Sequence, residues 1–73
     1  LLQEAVALLP PQQQLVYRLA KTDGLSHEEI ASRLDISRLT VKKHMATALQ
    51  SIRLHLAGHI SSVSALMVLL FVL

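Results

Sequence analysis

Apolar residues recur along this chain at helical spacing, interrupted at a few short polar or proline-bearing steps. In "LLQEAVALLPPQ", Leu2, Val6 and Leu9 fall roughly on one face of a short helix that stops at Pro10 and Pro11. A residue before proline is driven out of helical angles, so the break is well specified. Pro11 suits the first turn of a second helix, where its missing N–H does no harm. That helix is expected over about 11–22, with Leu15, Val16, Leu19 and Ala20 as its apolar stripe. Gln12, Gln13, Arg18 and Lys21 are expected to face water, and Gly24 can take a left-handed conformation after the last turn.

A third helix starts at Ser26. Ser26 and Glu29 fit a capping box, and Leu25 and Ile30 have the spacing of a hydrophobic staple across it. Ile30, Ala31 and Leu34 form its expected buried stripe, for about two turns before "LDIS". Ser37 caps a fourth helix, and Ile36 and Val41 repeat the staple spacing. Val41, Met45, Ala48, Leu49 and Ile52 trace one face, and the helix is expected to reach about Ala57. Gly58 is its weak point.

"HISSVSALMVLLFVL" differs in character. Residues 65–73 are all apolar, and a helix apolar on every side needs burial on every side. Ile60 to Leu73 is 14 residues, about 21 Å as a helix, whereas a bilayer core needs about 20 residues. Burial against protein is therefore expected over lipid association. An apolar patch of this kind is seldom left open on a monomer, so residues 60–73 are expected to pack across a partner, including a second copy of the chain. The expected division is a helix-turn-helix domain at 1–57 and an apolar helix at 58–73.

Composition narrows the class. Seventy-three residues make one small domain burying only about 60% of its unfolded surface, and a first residue other than methionine suggests a fragment. The absence of cysteine excludes disulfides and thiolate metal sites and fits a reducing cytoplasm. No signal peptide is visible. Tyr17 and Phe71 are the only aromatics, which argues against single-strand binding by base stacking. The fold class expected is all-α. It is a three- or four-helix core, winged-helix-like without the wing, plus the apolar C-terminal helix.

Charge is unevenly placed. Residues 1–36 hold three basic and five acidic side chains, whereas residues 37–73 hold Arg38, Lys42, Lys43 and Arg53 with no acid. Such segregation suggests a positive face for a polyanion. Helix, tight turn, helix supplies the geometry. In that geometry the second helix can project and enter a DNA major groove N-terminal end first. Ala31 is small where the helices cross, and Asp35 tolerates the left-handed turn. Rotating about 100° per residue from Val41 puts Leu39, Lys42, Lys43 and Ala46 on the far side. Thr40 and Thr47 fall at one flank, and Arg38 and His44 nearer the buried edge. Lysine pairs with guanine acceptors, threonine with phosphate or a base, and Leu39 and Ala46 with thymine methyls. Which lysine reads a base is left open. So is His44, which suits either a phosphate or packing.

"LPPQQQLVYRLAKTDGLSHEEIASRLDISRLTVKKHMATALQSIR" resembles region 4 of bacterial sigma factors, especially the small extracytoplasmic-function (ECF) type. The resemblance covers about residues 3–56. It implies binding to the −35 promoter element on double-stranded DNA, docking on the RNA polymerase β flap, an anti-sigma factor as a further partner, and a cytoplasmic site of action. It implies DNA contacts at Arg38, Thr40, Lys42, Lys43, His44 and Thr47, to which the helical rotation adds Leu39. The apolar tail is similar to those of Bacteroidetes sigma factors. Two features depart from the family. Ala46 and Ala48 stand where more arginine is usual, and region 2, which melts the −10 element, has no counterpart. These residues are therefore not expected to start transcription alone. The rival resemblance is to the LuxR-type response-regulator output domain, which shares "GLS..EIA..L.IS..TV..H", but "LPPQ" before the second helix favours the sigma factors. A third alternative, of another class, is an interaction module that self-associates through its tail.

No cofactor, metal or catalytic group is expected. His55 and His59 stand at i, i+4, a metal-sharing spacing, but no carboxylate or cysteine completes the set. Glu28 and Glu29 suit a helix N-terminus, where negative charge meets the dipole. Caps account for Ser26 and Ser37, and no phosphate loop or nucleophile elbow is present, so an enzyme is not expected.

Overall fold

A computed structural model describes residues 1–58 and 70–71. Four helices follow in order: α1 (Leu2–Ala7), α2 (Pro11–Lys21), α3 (His27–Leu34) and α4 (Arg38–Ala57). No strand occurs among the described residues. The tail helix expected over 58–73 lies outside them but for Gly58, Leu70 and Phe71.

Each boundary has a local cause. α1 ends at Ala7, three positions before the first proline, and Leu9 N–H donates to the Val6 carbonyl at 3.1 Å to close the turn. Pro10 is extended (φ −54°, ψ 149°) and Pro11 opens α2 at its first position. Gln14 Nε2 donates to the Val6 carbonyl at 2.9 Å, tying the second helix to the first. Gly24 has φ +70°, and Leu25 N–H then reaches the Leu19 carbonyl at 3.0 Å. Nothing lies within 4 Å of a Cβ built there, so the glycine answers to backbone angle and not to space.

α4 is the hub, packing against α1, α2 and α3. At 20 residues it is about 30 Å long, and the core divides along its length. Toward its N-terminal half, Val41 and Met45 close on Val16, Leu19 and Ile30. Toward its C-terminal half, Ala48, Ile52 and Leu56 close on Ala5, Val6 and Leu9. Tyr17 packs against both clusters.

The expected stripes are narrower in α1, α2 and α3 and longer in α4. Leu2 and Leu15 are exposed, at 47% and 41%. Leu15 lies about 100° round α2 from fully buried Val16, outside the seam. In α3 only Ile30 is fully buried, and Ala31 and Leu34 pack from the edge of the cluster because eight residues present a single side to the core. Gln13 is half-buried, not in water. Leu49 is half-buried, and Leu56 joins the core one turn beyond the expected stripe.

Candidate nucleic-acid interface

The interface is built outward from two caps and a turn. Ser26 and Glu29 form the full capping box. Glu29 N–H donates to Ser26 Oγ at 3.1 Å, and Ser26 N–H donates to Glu29 Oε1 at 3.0 Å. The bonds from Ser26, aided by the Arg33 guanidinium, hold the Glu29 carboxyl below its ordinary value. Asp35 ends α3 in the left-handed region (φ 54°, ψ 48°), and Ile36 N–H donates to the Ala31 carbonyl at 3.1 Å. That one residue reverses the chain. Aspartate is among the few non-glycine residues that visit these angles readily. Ser37 then caps α4, accepting from Thr40 N–H at 3.0 Å, while its hydroxyl pairs with Thr40 Oγ1 at 2.8 Å.

Burial fixes the rotation of α4 about its axis. Val41 and Ala48 are wholly inaccessible and Ile52 nearly so. The opposite side therefore faces solvent: Leu39 is 61% exposed, and Lys42, Lys43, Ala46 and Thr47 are exposed with it. His44 is half-buried at the edge, as the helical rotation places it. Thr40 is half-buried, its hydroxyl held by Ser37. Thr47 donates its hydroxyl proton to the Lys43 carbonyl at 2.9 Å, so toward a ligand it offers lone pairs.

Arg38 departs from expectation. Rotation put it near the buried edge, yet its side chain is 66% exposed and reaches Glu28 Oε1 at 3.3 Å. As the first residue after the cap it has no preceding turn of α4 beside it, so the rotation alone does not decide its burial. Glu28 was expected to serve the α3 N-terminus. Its pairing spans ten positions and a turn, and no periodicity within either helix signals it. α4 carries no acid in its first turn, so Glu28, from α3, is the carboxylate that meets this cationic end.

Between α1 and α2 lies an open groove of about 500 Å³, lined by Leu2, Val6, Tyr17, Arg18 and Lys21 among others. Among the described residues no group of three or more His, Cys, Asp or Glu could hold a metal ion. His59, half of the i, i+4 pair, lies outside them. No helix among the described residues is long and apolar enough to cross a membrane.

A short helix, a left-handed turn and a longer helix with a cationic outer face define a helix-turn-helix DNA-binding domain. The family model for sigma-70, region 4, matches residues 1–52, and the chain belongs to that family. Its members bind the promoter −35 element and RNA polymerase and are not enzymes. The assignment takes the sigma reading over the response-regulator one. No solved structure matches the chain.

Proposed function

We propose that the outer face of α4, formed by Arg38, Leu39, Thr40, Lys42, Lys43, His44 and Thr47, reads the −35 element in the major groove. The observation that carries this is the adjacent, exposed pair Lys42 and Lys43, Lys43 opposite buried Val41 and Met45 and Lys42 at the flank, on a helix without an acid. Desolvating them against phosphate releases counterions, and their reach suits guanine acceptors. Leu39 and Ala46 supply the apolar contact that a thymine methyl needs. Within sigma-70 region 4 the chain is best assigned to the ECF type, acting in the cytoplasm and docking on the polymerase β flap. The likeness of the tail to Bacteroidetes sigma factors rests on residues 60–73, and so does its proposed role in self-association or anti-sigma capture.

Lys42→Ala and Lys43→Ala test the face. Where the lysine meets a phosphate, the slope of log K against log salt is expected to flatten by about 0.9. Where it reads a base, preference relaxes at one position at a cost of about 1–3 kcal/mol. Titration of duplexes selected from a random library, with and without core polymerase, separates the two. Unchanged slope and unchanged preference in both variants would remove α4 from the groove.

A further inference from the structure

Arg38 occupies the first position of α4, where the helix dipole is positive and a cation is unfavourable. The first turn contributes no acid. The site is thus electrically unsatisfied by its own helix, and Glu28 of α3 answers it across the turn at 3.3 Å. Glu28 makes no capping bond, since Glu29 fills that role. The pair is exposed on both sides, 66% for Arg38 and 76% for Glu28. An exposed pair of this kind is weak, and the closely spaced single charges of a DNA backbone compete with it for the guanidinium.

We infer that Glu28 is an internal stand-in for a DNA phosphate at the tip of the recognition helix, and that it sets sequence discrimination by withholding Arg38 from indiscriminate backbone contact. The inference rests on the DNA-reading face proposed above. On a random duplex, Arg38 gains a phosphate only by giving up Glu28, and Glu28 then repels the strand. On a matched site, base contacts from the outer face of α4 hold the helix whether or not Arg38 takes a phosphate, so Arg38 can keep Glu28 and the exchange is not required. Glu28 therefore weakens random binding more than matched binding.

The test uses the full chain in a double-mutant cycle of Glu28→Gln and Arg38→Ala, titrated against a random-sequence duplex pool and against the duplexes that the wild-type chain enriches from it. Circular dichroism is expected to show wild-type helicity throughout, because neither side chain is buried. Glu28→Gln is expected to bind the pool about threefold tighter, with a salt slope steeper by about 0.9, one added phosphate contact. Affinity for enriched duplexes should rise less, so the ratio between the two narrows. With Arg38→Ala in place, Glu28→Gln should add nothing. Equal gains with and without Arg38 would mean that removing a distant negative charge suffices, and would overturn the pairing role. So would an unchanged slope in Glu28→Gln while Lys42→Ala still flattens it. Failure of the wild-type chain to enrich any duplex, with Lys42→Ala and Lys43→Ala both inert, would overturn the reading face and this inference together.

Discussion

Glu29 shows how one side chain on this surface couples to pH. Its carboxylate accepts from Ser26 N–H only when ionised to full effect, and its folded value lies below the ordinary carboxylate range. A group lowered on folding contributes stability above its unfolded value and loses it as pH falls through the folded one. The stability gap between the wild-type chain and Glu29→Ala is therefore expected to be full at neutral pH. It should shrink on acidification through and below the carboxylate range, as followed by thermal melts across pH. Ser26→Ala removes the reciprocal partner and is expected to cost about 1 kcal/mol. A gap that stays constant down to strongly acidic pH would show that the carboxylate charge does not matter to the cap. The box was legible in the sequence because its two members are three residues apart and their bond is local. The Glu28–Arg38 pair was not, because its geometry depends on the angle between two helices.

At the scale of elements, the helix-turn-helix is a lever hinged on Ile30. This side chain is wholly buried between α2 and α4 and sets the angle at which α4 projects. Ile30→Ala is expected to cost about 2–5 kcal/mol, a large share of what so small a domain has. It should broaden and lower the thermal transition. Leu39→Ala, on the outer side of the same lever, is expected to change stability within about 0.5 kcal/mol while altering base preference. If the two variants were equally destabilised in urea titrations, the assignment of inner and outer faces would be wrong. The turn itself was readable from composition. Asp35 and Gly24, the two residues with positive φ among those described, are of the types that tolerate it. Leu15 was misplaced because a single apolar stripe at helical spacing does not reveal how wide a seam its neighbours will cover.

Across the whole molecule, α4 belongs to two cores at once. Deleting residues 1–9 removes Ala5, Val6 and Leu9 and uncovers Ala48, Ile52 and Leu56. Hydrogen exchange is expected to show the amides from Ile52 to Leu56 losing protection, while those of Ile30, Val41 and Met45 keep theirs. Local openings of this sort follow the cluster to which a segment is packed. Uniform loss of protection along α4 would mean instead that the two clusters fold as one unit, through the Tyr17 that touches both.

The amino-acid sequence alone determined the four helices, the serine caps of α3 and α4, the left-handed turn and which side of α4 is cationic. All of these follow from interactions within a few residues or from the period of one helix. Tertiary packing decided the rest: how far each stripe is covered, that Leu56 joins the core and Leu15 does not, that Gln14 ties α2 to α1, and that Glu28 meets Arg38. Those outcomes depend on the distance and angle between elements, which a one-dimensional pattern does not encode and which only the simultaneous burial of several helices fixes.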